Sequence, residues 1–460
     1  MLKDFYFINY VRCYDSIFYY QVKKIRKGEM LSEDVFCEDM FREILSKLPV
    51  KSLMRFMCVS KYFQSLILDP HFVTMHFQNS RKNTKFLSRY LNERKIPCFV
   101  IPSPIHSLLE DSTPFYADDI THGSNLERNK YQVIGSCNGL VCLAIWKNRK
   151  GPSMFHLLNP ATKKLLTCSH SSLKLAKEEI VVMLGFGYDD SRHTYKVVEI
   201  VRHMNFEYGH PFRSIVCSLN EESGWRDIQN FPANPTTVEG EGIYLNNTLN
   251  WLGMPNYNYY NYDDLDISFD EVVIASLDLE TETYTKMSLP HELDGVFIGD
   301  FCFPCDQLHC NDAPFIGILG GCLSLFLRNR TTEYLSIWQM KEFGNQRSWT
   351  LLLNTSLQDL GVHHTIRLPA NSRYHYYLQR ILIQNQHFWS DDNNLIPLCM
   401  IENDRDIVII QTSFQGRVKI LIYNLRDKTV TSKKMIDTLS WIYPFDHVES
   451  LVSVAASSRT

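Results

Sequence analysis

Between Glu38 and Phe77 apolar residues come at helical intervals. Met40, Phe41, Ile44, Leu45 and Leu48 recur at i, i+1, i+4, i+5 and i+8, one face of a helix for which Asp39 is the candidate cap. Pro49 stops that run, because it has no N–H to donate and restricts the residue before it. Leu53, Phe56, Phe63 and Ile67 fall near one face of the next helical stretch, with Val59 and Leu66 beside them. Asp69-Pro70 closes it, and Phe72–Phe77 reads as a last helical turn or two. A unit of about forty residues buries too little area to hide this much apolar surface. The pattern therefore predicts three short helices that offer a greasy face to a partner.

After these helices the pattern loosens. Lys and Arg crowd residues 81–95, where Phe86, Tyr90 and Leu91 share one face of a predicted linker helix. Pro97, Pro102, Pro104 and Pro114 then break up a polar, acidic connecting loop that runs to Asp119.

From about Tyr131 the chain turns to short strands separated by turn residues. One unit recurs: an apolar strand, a turn with Asn or Asp near its start, and a second strand of polar–aromatic alternation. It runs from Phe155 through Asn159-Pro160-Ala161-Thr162 to Leu166, from Ile215 through Asn220 to Ile228, and from Val273 through Asp278 to Pro290. Weaker copies span Leu335–Trp349 and Ile420–Val430. A second hairpin type alternates with it, turning at Cys137-Asn138-Gly139, Asn246-Asn247, Gly320-Gly321 and Glu402-Asn403-Asp404. Asn-Gly and Gly-Gly supply the positive φ that tight hairpins need. Two hairpins per unit, repeating at very roughly 60 residues, make four strands per repeat, as in a propeller blade. Roughly five to seven blades fit the length, and a ring removes the exposed edges that an open stack leaves. A β-sandwich is the alternative architecture.

Two sets of residues carry a resemblance. Ile44-Leu45-Ser46-Lys47-Leu48-Pro49-Val50-Lys51-Ser52-Leu53-Met54-Arg55-Phe56, followed by Cys58-Val59-Ser60-Lys61, resembles an F-box of the large plant class. Two positions depart from that family's pattern. Phe36-Cys37-Glu38-Asp39 stands where the family usually opens with Leu-Pro, and Phe63 stands where it has Trp. Phe keeps most of the apolar bulk but lacks the indole N–H, which implies weaker docking. Further on, Gly135-Ser136-Cys137-Asn138-Gly139-Leu140-Val141-Cys142-Leu143, Leu158-Asn159-Pro160-Ala161-Thr162, Gly185-Phe186-Gly187-Tyr188-Asp189, Tyr195-Lys196-Val197-Val198 and Trp225-Arg226 resemble, in order, the F-box-associated domain of the same plant proteins. Together the resemblance covers roughly residues 36–435.

The resemblance implies an α+β, multidomain chain: a three-helix F-box, then a large all-β, kelch-like or propeller-like domain. The expected division is an N-terminal extension (1–30), the F-box (36–80), a linker (81–130), the β domain (131–437) and a C-terminal segment (438–460). It implies an SKP-type adaptor gripped through Leu48, Pro49, Leu53, Phe56, Val59 and Phe63, and through that adaptor a cullin and a RING subunit. The β domain would then hold a target protein for ubiquitination and degradation. The alternative is a binding scaffold whose altered F-box no longer engages the ligase. Met30-Leu31-Ser32-Glu33-Asp34 resembles the start of many F-box proteins, so Met30 is a candidate working start.

Composition narrows the class. Apolar residues make up 45% and charged residues 21%, ordinary for a soluble globular protein, and 13% aromatics lean the chain toward strands. A net charge of −4 lacks the basic surplus of a nucleic-acid binder. No run reaches the roughly 18 apolar residues that span a bilayer. Thirteen scattered cysteines, an odd number, point to reduced thiols in the cytosol or nucleus rather than to a secreted scaffold.

Catalytic motifs do not emerge. Gly185-x-Gly187 opens onto Tyr-Asp-Asp and lacks the rest of a dinucleotide loop, and neither a phosphate loop nor a nucleophile elbow is found. Cys302, Cys305, His309 and Cys310 are zinc-ligand types, but the adjacent second pair suits tetrahedral geometry badly, so neither a metal nor another cofactor is expected. Two aromatic stretches are better candidates for recognition. They hold Tyr257, Tyr259, Tyr260 and Tyr262 among acids, and Arg367, Arg373, Tyr374 and Tyr376 among basic residues. Tyr and Arg combine contact area with polar reach, which is why they dominate interface hot spots. The expectation is a non-catalytic receptor.

Overall fold

In the computed structural model Pro49, Cys58–Ser60 and Asp69-Pro70 divide the N-terminal apolar stretch into four helices, one more than the three expected. The extra break arises because Ser60, between Met57 and Lys61, leaves the helical conformation and caps a new helix. The structure describes residues 38–81, 85–91, 97–104, 131–146, 150–168, 175–176, 178–203, 212–219, 224–235, 240–254, 268–297, 314–329, 332–362, 394–401, 407–414, 417–434 and 439–453. The helices are α1 (Glu38–Ser46), α2 (Val50–Met57), α3 (Lys61–Leu68) and α4 (Pro70–Ser80). The last is three turns long rather than the predicted one or two. Asp69 ends α3 and at once caps α4, its carboxylate accepting from the Phe72 N–H at 3.0 Å, with Pro70 at the first helical position. Asp39, the expected cap of α1, lies one residue inside the helix that begins at Glu38. There its charge meets the positive end of the helix dipole.

The chain forms two units: one holds the helices together with residues 448–453, the other holds the strands. The second unit begins with a correction. Residues Lys85–Leu91, expected as a linker helix, are strand β1, followed by β2 (Pro97–Pro104). The helical spacing of Phe86, Tyr90 and Leu91 is overridden because strand β24 (Leu439–His447), from the other end of the chain, pairs antiparallel along β1. Phe86 and Leu87 enter the core side by side. The same pairing corrects the C-terminal boundary: the expected separate segment from 438 supplies a strand of the β domain.

Between these ends lie five four-stranded meanders. The first is β3 (Tyr131–Cys137), β4 (Leu140–Trp146), β5 (Pro152–Asn159) and β6 (Lys164–Cys168). The second is β7 (Glu179–Asp189), β8 (Thr194–His203), β9 (Arg213–Ser218) and β10 (Trp225–Asp227). A short strand, β11 (Asn234–Pro235), precedes the third, made of β12 (Gly240–Leu245), β13 (Thr248–Met254), β14 (Val273–Asp278) and β15 (Tyr284–Ser288). The fourth is β16 (Phe315–Leu319), β17 (Cys322–Asn329), β18 (Tyr334–Met340) and β19 (Trp349–Ser356), and the fifth is β20 (Asn394–Ile401), β21 (Ile407–Phe414), β22 (Arg417–Asn424) and β23 (Thr429–Lys434). The sixth sheet, in the order β24, β1, β2, draws on both ends of the chain.

One strand of each sheet faces its neighbours. β3 lies against β7, β7 against β12, β12 against β16, β16 against β20, β20 against β24, and β24 against β3. Among the described residues the five meanders and the β24–β1–β2 sheet thus close into a ring of six blade-like units, within the expected range of blades. The second and third are joined into one sheet by the parallel β7–β12 pairing. The apolar cores lie between successive sheets, so both faces of a strand are covered and β4 is buried along Leu140–Ile145 rather than at alternate positions.

The turns repeat as well. Asn138 and Gly139, Asn246 and Asn247, and Gly320 and Gly321 all take positive φ at both central positions, as mirror-image hairpin turns require. In the other turn type the side-chain oxygens of Asn159, Asp189, Asp278 and Asn424 each accept from backbone N–H groups two and three residues on. The fourth residue on is left-handed in each: Lys163, His193, Glu282 and Lys428. Asn159, Asp278 and Asn424 are positions that mark the repeat in the sequence; Asp189 is an addition from the structure, and Asn220 lies outside the described residues.

Polar groups are locked into the seams. Lys196 is wholly buried, its ammonium 2.7 Å from Asp189 Oδ2 and 2.8 Å from Glu282 Oε1, and it also donates to the Leu279 carbonyl. Arg226 pairs with the same Glu282, tying the second sheet to the third. Gly185 and Gly242, opposite each other in the parallel β7–β12 pairing, leave room for the Trp251 ring, which a Cβ would approach to 2.6 and 2.5 Å respectively. At the closing seam His447 Nδ1 and Ser136 Oγ are 3.2 Å apart, and burial, helped by the nearby Lys85 charge, pushes His447 down to about 3. The unfolded state takes up a proton at about pH 6.5 that the folded ring refuses, so this group removes stability as pH falls below that value.

Glu199 on β8 works in the opposite direction. It is fully buried with no hydrogen-bond partner on either carboxylate oxygen, and burial, only partly offset by Arg213, raises it to about 8. Between its unfolded value of 4.5 and 8 the folded state holds a proton that the unfolded chain releases, so stability is lost as pH rises through that window. Glu199→Gln removes the penalty. The variant should melt higher than the wild type at pH 7.5, by up to about 4 kcal/mol. The gain should vanish near pH 4.5, and paired thermal scans at the two pH values check it.

Candidate functional site

The helices fill their own core first. Phe41 and Leu45 of α1, Val50 and Leu53 of α2, Phe63, Leu66 and Ile67 of α3, and Phe72 of α4 are buried. Phe63 is the centre: its ring meets Phe41 edge-on at 6.3 Å, Phe56 at 6.0 Å and Tyr62 at 5.5 Å. Ser60 caps α3 by accepting from the Phe63 N–H at 3.2 Å, which fixes where that ring enters.

Polar contacts set the angles between helices. Arg42 of α1 donates to Asp69 at 3.1 Å, and the Phe72 N–H, with Arg42 second, holds the Asp69 carboxyl below the usual carboxylate range. Asn79 of α4 donates to Ser46 Oγ of α1 at 2.8 Å. His76 Nε2 donates to the Leu48 carbonyl at 2.9 Å, satisfying an acceptor left free where α1 ends. Burial lowers the basicity of His76, and its Nδ1 has no hydrogen-bond partner. No periodicity in the sequence marks these contacts. They join residues 27 to 33 positions apart, and polar side chains at helix ends are too common to signal a pairing.

The six residues expected to grip an adaptor separate into two groups. Leu53 (0% exposed) and Phe63 (1%) are core, and set the shape of the unit from inside. Pro49 is exposed, and Leu48, Phe56 and Val59 are half-buried, so these four reach the surface. The structure adds three large apolar side chains that the sequence analysis did not assign to a binding face: Met40 at 49%, Tyr62 at 45% and Leu68 at 49% exposure. A unit with a filled core that still shows these groups has apolar surface to spare.

Tyr257, Tyr259, Tyr260, Tyr262, Arg367, Arg373, Tyr374 and Tyr376 lie outside the described residues, as do Cys302, Cys305, His309 and Cys310. In sequence the first tyrosine group falls between β13 and β14, and the second stretch between β19 and β20.

Comparison with known proteins finds relatives of both the helical and the strand-bearing parts. A family model described as the F-box associated beta propeller domain matches residues 116–454, and one described as the F-box domain matches residues 35–74. An F-box/kelch-repeat protein of Arabidopsis thaliana is 31% identical over 332 residues, covering 71% of this chain and 81% of its own length. The F-box protein CPR1 of the same plant is 26% identical, covering 68% of this chain and 71% of its own length. The Arabidopsis protein SUPPRESSOR OF NIM1 1 is also 26% identical, covering 66% and 74%.

Removing the Phe63 ring empties the middle of the aromatic cluster. Phe63→Ala should cost the helical unit about 3–4 kcal/mol, whereas Tyr62→Ala, on a half-exposed ring, should stay within about 1 kcal/mol. Amide hydrogen exchange in α1 and α3, compared across the two variants, checks the difference.

Proposed function

The chain belongs to the F-box proteins that carry an F-box associated beta propeller domain, and from that premise we propose that it is the target-selecting, non-catalytic subunit of an SCF-type cullin–RING ubiquitin ligase. On this reading the helices bind an SKP-type adaptor, and through it the cullin and RING subunits, while the ring of sheets holds a protein destined for ubiquitination. The work done is proximity: a tethered target presents its lysines at high effective concentration to the charged ubiquitin carrier. The free thiols of Cys58, Cys142, Cys168 and Cys322 suit a reducing cytosol or nucleus. Target selection is assigned to the tyrosine-rich β13–β14 connection and the basic–aromatic β19–β20 connection, whose Tyr and Arg content suits a protein partner.

The observation that carries the adaptor reading is the surplus apolar surface on a helical unit whose core is already complete. The competing reading, a scaffold that has lost its ligase contact, rests on two departures from the F-box pattern. Phe36-Cys37-Glu38-Asp39 stands where Leu-Pro is usual, with Phe36 and Cys37 outside the described residues, and Phe63 stands in place of Trp. Phe63 is enclosed by Phe41, Phe56 and Tyr62, so that change alters packing inside the unit rather than the surface offered.

Pro49 allows a clean test. It occupies the N-cap of α2 with φ −58° and ψ 147°, and makes no capping hydrogen bond. An Asp accepts that backbone geometry and would cap α2 while placing a charge on the exposed face. Pro49→Asp should keep its helical circular dichroism and reduce capture of a purified SKP-type adaptor by about tenfold or more. Undiminished capture by the variant removes Pro49 from the docking face. Failure of the wild-type chain to bind the adaptor at high concentration ends the ligase reading.

A further inference from the structure

After β24 the chain leaves the sheets, and residues 448–453 belong with the helices rather than with the strands before them. Their burial is unequal: Ser450 is fully enclosed, Leu451 is 6% exposed, and Ser453 is exposed. Ser450 Oγ accepts from the Val452 N–H at 3.3 Å, a local turn that sets the Leu451 side chain in place. Glu449 lies close enough to His76 for its charge to favour the imidazolium, against the burial that disfavours it. His76 is the residue that bonds the end of α1 to α4.

We infer that the C-terminal segment Val448–Ser453 is a working part of the helical unit: an intramolecular strap, anchored by Leu451, without which the adaptor-docking helices lose their packing. Only the consequence for the adaptor rests on the function proposed above. The physical reason is size. Four helices of eight to eleven residues are individually too short to persist in water and stand on tertiary contacts alone. Residues 448–453 group with the helices in one compact unit and bring to it, from elsewhere in the chain, Ser450 and Leu451, both buried. The strap follows directly on β24, which closes the ring, so one stretch of fifteen residues, 439–453, serves both units.

The full-length chain tests this with three variants read by amide hydrogen exchange. A stop codon after His447 removes the strap, Leu451→Asp keeps its length but puts a charge in the anchor position, and Leu451→Met keeps an apolar side chain of similar volume. Protection across Phe63–His76 should fall by about tenfold or more in the first two and stay at the wild-type level in the third. Protection in β7–β9 should be unaffected in all three. Unchanged protection across Phe63–His76 in both the truncated chain and Leu451→Asp overturns the inference. Adaptor capture, measured on the same samples, separates the two proposals: a wild-type chain that never binds the adaptor refutes the ligase reading while the exchange data still decide the strap.

Discussion

Ring closure is the constraint on which the strand-bearing unit depends. The innermost strand of its sixth sheet is the last strand of the chain, and the strand beside it is the first, held in register from Lys85 opposite His447. Until that pairing forms, the inner edges of the first and fifth sheets lack a neighbour, and unpaired strands invite association with other chains. The pairing also joins residues at nearly the greatest separation the sequence allows, so its loop-closure cost falls late in folding. Buried groups finish the seam. His447 sits neutral against Ser136, and Phe86 and Leu87 join the core built from the first and fifth sheets.

Elsewhere around the ring, adjacent sheets are joined by apolar cores with a few polar groups set between them. The Lys196 ammonium, held by Asp189, Glu282 and a backbone carbonyl, gives one seam a single register, because sliding it would strand a buried charge. Trp251 over the paired Gly185 and Gly242 does the same sterically.

The helical unit follows a different economy. Its core is small, Phe63 holds it together, and its short helices are fixed by caps and by three long-range polar contacts. That arrangement leaves Met40, Tyr62 and Leu68 outside. Filling the core and keeping apolar surface for a partner compete for the same few residues, and the strap of 448–453 eases that competition by bringing in a leucine from the far end of the chain.

Local chemistry was enough to read most helix ends, the turns and the repeat, but not the break at Cys58–Ser60 that separates α2 from α3. Pro49 and Asp69-Pro70 mark helix ends because proline cannot donate, and Asn159, Asp278 and Asn424 mark strand turns because their side chains bond their own backbone. Five outer hairpins were visible for the same reason: each is a contiguous run. The sixth sheet was not, since its strands lie at opposite ends of the chain and residues 85–91 carry a helical spacing of their own. Nor does helical periodicity distinguish an apolar residue that fills a core from one that faces a partner, so Leu53 and Phe63 looked like Leu48 and Pro49. Hydrophobic period and turn chemistry act over a few residues, so they disclose contiguous helices, hairpins and their repetition. Tertiary structure alone decided the strand state of β1, the closing role of β24, the place of Leu451 and the division between buried and offered side chains, because each depends on a neighbour that is distant in sequence.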